Sequence, residues 1–146
     1  FDVEHADLKT PREDLGGKSL GEALLAPTKI YVKPVLKVLE EVDVKGISHI
    51  TGGGFYENIP RSIPDGLCAK IDKSAVKVLP IFDLIAKTGN IPERDMFNTY
   101  NMGVGMSIVV PAAQVQTALD ILSAHGEDAY VIGTITKNDE EKVILE

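Results

Sequence analysis

Three consecutive glycines are the feature of this sequence that most suggests chemistry. They lie in the segment HITGGGFYENIPR (49–61), where an apolar stretch runs into a predicted helix. Glycine lets a chain turn sharply while a ligand approaches its backbone, and the free N–H groups at a helix start bind anions. The residues Thr51, Gly52, Gly53 and Gly54 therefore predict a loop for phosphate or carboxylate, with Arg61 as a charged partner. A tight turn without a ligand is the alternative, because no Gly-Lys-Ser/Thr of a Walker loop follows.

Histidine and asparagine side chains near this loop are the next candidates. His49 directly precedes the loop, and imidazole is the commonest side chain in general acid–base catalysis, so His49 is a candidate general base or phosphate donor. A buried or half-buried strand histidine bonded to backbone is the alternative. Asn58 lies within the helix after the glycines, as either a ligand contact or a solvent-facing residue. Asn101 is a candidate to cap a turn or to bind a substrate amide.

The remaining reactive residue types favour structural roles. The three histidines of the chain lack metal-ligand spacing. The single cysteine, Cys68, is expected to pack in the interior, and no Ser/His/Asp or Cys/His arrangement is identifiable. A lone cysteine also excludes a disulfide framework and favours a reducing compartment, the cytoplasm.

Capping signals predict the first helices. Ser19 and Glu22 have capping-box spacing, so a short helix should follow Ser19 and stop before Pro27. Pro34 suits the first turn of a second helix. The apolar face predicted for that helix is Val35, Val38, Leu39 and Val42. Residues 1–18 show no period and predict an extended lead-in to a domain over 19–146.

Apolar patterns and turn residues predict the rest of the elements. Strands are expected at 46–50, 67–71, 102–110 and 129–136, with a short edge strand at 142–145. Helices are expected at 55–59, at 80–87 with Gly89 as cap, at 92–97, and from Pro111 to a cap at Gly126. Alternation over 102–110 would place Gly103 and Gly105 on one bare face. This order predicts the α+β class, a mixed β-sheet layered with helices.

Composition sets limits on the function. The 146 residues carry 22 acidic and 15 basic side chains, a net charge of −7, and their number suits one domain. The acidic balance argues against partners such as nucleic acid or anionic membrane, and no apolar run reaches the length of a membrane span. Six acids and two lysines are concentrated in residues 127–146, whereas residues 46–126 carry seven acids and six bases. The nearly neutral middle can therefore receive an anion.

Four segments carry a family resemblance. HITGGGFYENIPR (49–61), LLAPTKIYVKPVL (24–36), FNTYNMGVGM (97–106) and AYVIG (129–133) resemble the C-terminal domain of the AIR synthetase family, the phosphoribosylformylglycinamidine cyclo-ligases. The likeness covers roughly residues 15–136. It implies an α/β domain with partial similarity to ferredoxin-like folds. Because the chain opens at Phe1 rather than Met, we also expect it to be a piece of a longer protein.

The resemblance implies a cytoplasmic ligase of purine biosynthesis. The implied reaction converts formylglycinamidine ribonucleotide and ATP into aminoimidazole ribonucleotide, ADP and phosphate, with Mg²⁺ accompanying the nucleotide. The family's N-terminal domain binds most of the nucleotide and forms a homodimer, and the active site lies in the cleft between the two domains. An isolated C-terminal domain is therefore expected to be inactive.

The resemblance also implies roles for matching residues. His49 becomes a candidate base or proton shuttle, and residues 51–54 a candidate anion-binding loop. Asn58, Arg61 and Asn101 become weaker substrate contacts. Two other functions compete with this one. The first is a regulatory or phosphate-ligand-binding α+β module, since fold does not determine function. The second is a related ATP-dependent enzyme of the same superfamily.

Overall fold

The computed structural model describes residues 1–2 and 4–146. In this part of the chain the α-helices are α1 (Leu20–Leu24), α2 (Val32–Glu41), α3 (Gly54–Asn58), α4 (Pro80–Gly89), α5 (Glu93–Thr99) and α6 (Val115–Ala124). The strands are β1 (Gly46–His49), β2 (Leu67–Ile71), β3 (Met106–Val109), β4 (Gly133–Lys137) and β5 (Val143–Leu145). Short 3₁₀ turns lie between several of these elements.

The strands form two sheets. In the first sheet β1 pairs antiparallel with β3, with Ile47 opposite Ile108. In the second, β2 is central: β4 pairs with it antiparallel, and β5 pairs with it parallel at the edge. Helices together with a sheet of mixed strand direction confirm the predicted α+β class. The strands are, however, divided over two sheets rather than joined in one.

The core consists of two clusters of buried side chains. The larger lies between α3, α5 and the second sheet, and its most deeply buried members are Ile50, Phe55 and Met96. Phe55 meets Phe97 edge to face, with ring centroids 5.1 Å apart. The smaller cluster joins α2 to α6 through Val38, Val42 and Ala118. The larger cluster fixes the position of α3, and with it the position of the glycine loop.

The predicted capping box at α1 is confirmed. The Ser19 hydroxyl accepts the Glu22 N–H at 3.2 Å, and the Glu22 carboxylate accepts the Ser19 N–H at 2.8 Å. Two N–H groups of the helix start are thereby satisfied. The predicted loose lead-in is more ordered than expected, because Leu15 is buried and Pro11 bridges Ser19. Residue 3 of that lead-in lies outside the described residues.

The apolar face predicted for α2 is wrong at one position. Pro34, Val38 and Val42, spaced four residues apart, are buried. Leu39 instead has 47% of its surface exposed. Successive residues on a helix are about 100° apart, so Leu39 lies on the stripe next to the one that contacts α6.

The predicted strand over 102–110 is too long at its start, because β3 begins at Met106. Met102 and Gly103 have positive φ angles of 53° and 104°, which belong to a turn. The Asn101 side chain accepts the Gly103 N–H, and its carbonyl accepts the Val104 N–H. This local turn chemistry overrides the alternation of the sequence, so Gly103 and Gly105 do not form a bare strand face.

Other element boundaries differ by a few residues. The predicted strand over 129–136 is paired only from Gly133 to Lys137. The left-handed residue that ends α4 is Asn90, with φ 49°, rather than Gly89. The helix predicted at 55–59 corresponds to α3, Gly54–Asn58, and a 3₁₀ turn over Ile59–Ser62 follows it. The strands predicted at 67–71 and at the C-terminal edge are confirmed.

Candidate functional site

The glycine loop connects the end of β1 to the start of α3. Gly53 and Gly54 have φ angles of 101° and 56°, a conformation that costs other residues free energy. A Cβ at Gly54 would overlap the carbonyl oxygen of Phe97, so this glycine also allows α5 to pack against the loop. Gly52 differs, because a Cβ there would meet open space.

Asn58 holds the loop from inside. Its side chain is buried, at 3% exposure. The amide nitrogen donates to the carbonyl oxygens of Gly52 at 3.2 Å and Gly54 at 2.9 Å, and the amide oxygen lies 3.5 Å from the Thr51 hydroxyl. Both amide hydrogens are therefore used within the loop. Asn58 determines the shape of the loop; its role as a direct substrate contact stays a prediction.

The loop carries backbone donors that are available to a ligand. Gly54 N–H donates to Thr51 and Glu57 N–H donates to Gly53. Among the described residues, the N–H groups of Gly52, Gly53 and Tyr56 donate no hydrogen bond to a protein acceptor, and these three residues are exposed or half-buried. Free N–H groups at a turn that opens a helix form the kind of site that accepts phosphate or carboxylate oxygens. Thr51 and Gly52 are exposed at the surface of this turn.

His49 lies at the mouth of the loop as the last residue of β1. It is exposed, it pairs in register with Met106, and its ring meets the Tyr31 ring edge-on at a centroid distance of 6.1 Å. Within the described residues its imidazole nitrogens have no hydrogen-bond partner. The alternative of a buried histidine bonded to backbone is therefore wrong. An exposed imidazole is free to exchange a proton with a ligand.

The turn after α5 lies against the same loop. The Ile50 N–H donates to the Gly105 carbonyl at 2.9 Å and joins the two segments. The Asn101 side-chain oxygen accepts the Gly103 N–H at 3.0 Å, so Asn101 caps this turn, as one of its two predicted roles required. Its substrate contact stays a prediction.

Tyr31 is a neighbour of the site that the sequence did not single out. Its hydroxyl lies against Gly105, where a Cβ would overlap it. Burial raises the pKa of the Tyr31 phenol. Glycine at position 105 therefore makes room for the tyrosine that contacts His49. Its only signal in the sequence was its place within the segment LLAPTKIYVKPVL.

Arg61 is the predicted site residue that lies apart from the loop. It is exposed in the 3₁₀ turn Ile59–Ser62, at the far end of α3. Seven residues separate it from Gly54, which corresponds to roughly 10 Å along a helix axis. The structure thus brings together His49, the loop and Asn101, whereas Arg61 follows α3 at the end opposite the loop. Its substrate contact stays a prediction.

A groove of about 770 Å³ begins beside the site, between β3 and the chain that leads into β4. Tyr31 and residues 103–106 line it at the site's end, and apolar side chains of α6 line it farther along. His49, the glycine loop and Asn101 are not among its lining residues. Nothing in the sequence pattern predicted this groove, because the segments that line it are far apart in the sequence.

Two further chemical features concern metals and thiols. Within residues 1–2 and 4–146, no group of three or more His, Cys, Asp or Glu side chains is placed to hold a metal ion. The carboxylates that Mg²⁺ prefers are therefore not assembled in this part of the chain. Cys68 is buried in β2, and burial raises the pKa of its thiol. A buried thiol of this kind is a packing residue.

None of the helices in the described part of the chain has the length and apolar character needed to cross a bilayer.

Residues 2–146 match the family model described as "AIR synthase related protein, C-terminal domain". Three curated relatives carry the name phosphoribosylformylglycinamidine cyclo-ligase. The protein from Caldicellulosiruptor saccharolyticus is 56% identical over 121 residues, which are 83% of this chain and 36% of that protein. The Bifidobacterium longum protein is 51% identical over 136 residues, covering 93% and 39% respectively. The Staphylococcus epidermidis protein is 47% identical over 133 residues, covering 91% and 39%.

The chain thus spans well under half of the length of these curated relatives. Their names agree with the family indicated by the glycine-loop segment. A match over nearly the whole chain, together with identities near one half, leads to one conclusion. The chain belongs to the AIR synthase related protein family, of which it is a C-terminal domain.

Proposed function

We propose that this chain is the C-terminal part of an enzyme that closes the imidazole ring of a purine precursor. The full-length protein would convert formylglycinamidine ribonucleotide and ATP into aminoimidazole ribonucleotide, ADP and phosphate. The observation that carries this proposal is the 47% to 56% identity to relatives named as this cyclo-ligase. In the reaction ATP phosphorylates the formamide oxygen, a nitrogen of the amidine attacks the same carbon, and phosphate leaves.

The glycine loop is the part of this chain that we assign to the anionic groups of the reaction. Its free N–H groups at Gly52, Gly53 and Tyr56 would bind phosphate oxygens, with Thr51 as an added donor. Such fixed donors stabilise developing negative charge because they need no reorganisation when the charge forms. Asn58 would act through the loop by holding its carbonyl groups in place.

His49 is the group that we assign to proton transfer. When the amidine nitrogen closes the ring, a proton must leave that nitrogen, and an imidazole is well suited to accept it near neutral pH. The position of His49 beside the loop and the absence of a protein partner among the described residues support this role. Arg61 and Asn101 would contact more distant parts of the substrate.

We assign the remaining partners to the full-length protein. Mg²⁺ would accompany ATP, and the missing cluster of acidic ligands in the described residues supports its placement on the preceding domain. That domain would also supply most ATP contacts and the homodimer interface. The cytoplasm is the compartment that we propose.

The experiment replaces His49 by Ala in the full-length enzyme. We expect kcat to fall by about 10² to 10⁴, the usual contribution of general acid–base catalysis, at an unchanged melting temperature. The matched control is His125→Ala, because His125 is also exposed but lies at the end of α6 with its ring bonded to the Ile121 carbonyl. An unchanged kcat in His49→Ala would contradict the role of His49.

The proposed reaction itself is tested with the unmodified full-length protein. ATP-dependent formation of aminoimidazole ribonucleotide supports it. If that protein instead turns over only other acceptors, the related ATP-dependent enzyme is correct. If it binds phosphate ligands without any turnover, the binding or regulatory module is correct.

A further inference from the structure

The groove beside the site has an unpaired strand edge on one wall. In β3, the carbonyls of Gly105 and Val109 accept hydrogen bonds from Ile50 and Lys45 on the β1 side. Backbone groups of successive residues in a strand point to opposite edges. The N–H and C=O groups of Met106 and Ile108 therefore point away from β1, toward the other edge.

The opposite wall of the groove is also an unpaired edge. The Ile132 carbonyl accepts from Asp72, and the Asn138 N–H donates to Gly66, so even-numbered residues of this segment face β2. The backbone groups of Gly133 and Ile135 consequently point away from β2. Among the described residues, neither β3 nor β4 pairs with a second strand along these edges.

Both of these edges line the same groove. The lining residues include Met106, Ile108, Val110, Val131, Gly133 and Ile135. Apolar side chains of α6, among them Leu119 and Leu122, complete the wall. Two rows of unpaired donors and acceptors beside apolar side chains match what an extended peptide offers, namely a backbone to pair and side chains to bury.

We propose that this groove is the docking site of an extended strand that belongs to the same full-length protein but lies outside this chain. Inserted between β3 and β4, the strand would join the two sheets into one. A length of four to five residues with apolar side chains fits the lengths of the flanking strands. The proposal concerns assembly of the protein and does not depend on the proposed reaction.

The source of the strand follows from the length of the relatives. This chain covers only 36% to 39% of three relatives, and the family match is to a C-terminal domain, so most of each relative precedes this domain. A covalently attached strand also has a high effective concentration. A second copy is disfavoured, because two chains of net charge −7 repel each other. A small molecule would leave most of the two edges unpaired.

Hydrogen exchange measured by NMR tests the proposal by comparing this 146-residue chain with the full-length protein. In the full-length protein we expect the N–H groups of Met106, Ile108 and Ile135 to exchange at least 100-fold more slowly than in this chain. Ser107 and Thr134 serve as internal controls, because their N–H groups face β1 and β2 and should be protected in both proteins.

Three outcomes would overturn the proposal. The first is equal exchange of the edge groups in both proteins. The second is protection in this chain that increases with its concentration, which would identify a second copy as the occupant. The third is protection of this chain by added formylglycinamidine ribonucleotide or ATP alone, which would identify a small-molecule pocket.

A pair of variants provides an independent readout. Ile135→Pro removes an N–H from the free edge of β4 but not from its ladder with β2, a position where proline is tolerated in edge strands. Ile135→Ala is the control for the lost side chain. In the full-length protein, Ile135→Pro should reduce the protection of Ile108 by at least 10-fold relative to Ile135→Ala. In this chain the two variants should exchange alike at Ile108, and equal behaviour in the full-length protein would contradict the proposal.

Discussion

The three glycines of the loop differ in what surrounds them. Gly54 has φ 56° and lies against the Phe97 carbonyl, and Gly53 has φ 101° beside the Glu57 side chain. Gly52 has neither constraint, because open space lies where its Cβ would be. Gly53 and Gly54 are required by the fold, whereas Gly52 leaves the approach to the loop free for a ligand.

Replacing these glycines by alanine should therefore separate folding from binding. Gly54→Ala should lower the free energy of unfolding by on the order of 3 kcal/mol, since a left-handed alanine and a displaced neighbour each cost energy. Gly52→Ala should change it by less than about 0.5 kcal/mol. Urea unfolding followed by circular dichroism measures both. Similar losses of unfolding free energy in the two variants would contradict the difference inferred between Gly52 and Gly54.

The sequence predicted part of the candidate site at the scale of residues. Its prediction of a sharp turn at residues 51–54 is confirmed, because a triple glycine between a strand and a helix is a local signal. The bonds from Asn58 to Gly52 and Gly54 were not predicted, because residue type alone does not tell which way a side chain points. Tyr31 was missed because its contact with His49 joins residues eighteen positions apart in the sequence.

Helix α2 carries two apolar stripes, and only one of them is buried in this chain. Pro34, Val38 and Val42 are buried, and the two valines pack against Ala118 of α6. Val32, Leu36 and Leu39 form the second stripe and are exposed, as are Leu25 and Ile30 just before the helix. Contiguous apolar residues on a surface mark an interaction site.

Alanine substitutions on the two stripes should destabilise the fold according to burial rather than side-chain size, so that the smaller Val38 costs more than the larger Leu39. Val38→Ala removes methyl groups from a fully buried position and should lower the free energy of unfolding by about 2 kcal/mol. Leu39→Ala removes a larger side chain from a surface position and should cost less than about 1 kcal/mol. Urea denaturation of this chain provides the comparison. A larger loss for Leu39→Ala would mean that the second stripe is covered.

The capping box of α1 gives this helix a dependence on pH. Hydrogen bonds from the Ser19 backbone N–H, and then from its hydroxyl, hold the pKa of Glu22 below its ordinary value of 4.5. Because the pKa is lower in the folded state, the contribution to stability is complete above pH 4.5 and is lost as the pH falls through the folded value.

Glu22→Gln should therefore be less stable than the wild type above pH 4.5, by a difference that does not change toward neutral pH. The difference should shrink as the pH is lowered below 4.5, since the wild-type carboxylate becomes protonated. Urea unfolding between pH 3 and pH 7 measures it. A difference that stays constant at acidic pH would show that the carboxylate charge contributes nothing.

The predicted elements succeeded where their signals were local. The capping box of α1, the proline in the first turn of α2 and the strand β2 all follow from neighbouring residues. The strand over 102–110 failed at its start because the Asn101 side chain competes for the backbone N–H of Gly103. Alternation of apolar residues does not distinguish a paired strand from a turn followed by a shorter one.

On the scale of the whole molecule, the chain spans well under half of the length of its curated relatives. The curated relatives that it matches are more than twice as long, and their matched part is a C-terminal domain. The exposed stripe of α2 and the groove between β3 and β4 are the two apolar surfaces that this chain leaves uncovered. Under the proposed function, the residues that hold ATP would lie outside this chain.

For this reason the 146-residue chain should be inactive by itself. With formylglycinamidine ribonucleotide, ATP and Mg²⁺, we expect no formation of aminoimidazole ribonucleotide above the uncatalysed rate, whereas the full-length protein should turn over. An assay of released phosphate detects the reaction, and heat-treated full-length protein is its control. Cyclisation by this chain would contradict the assignment of the ATP contacts to the other domain.

The sequence by itself determined the family, the α+β class and the glycine loop beside His49, because each depends on residues close together in the chain. The tertiary structure decided which side chains meet and which surfaces stay open. The contact of Tyr31 with His49, the exposure of Leu39 and the groove between two sheets each depend on packing between distant segments. A local pattern carries no information about that packing, since the same residues can face a neighbour or solvent.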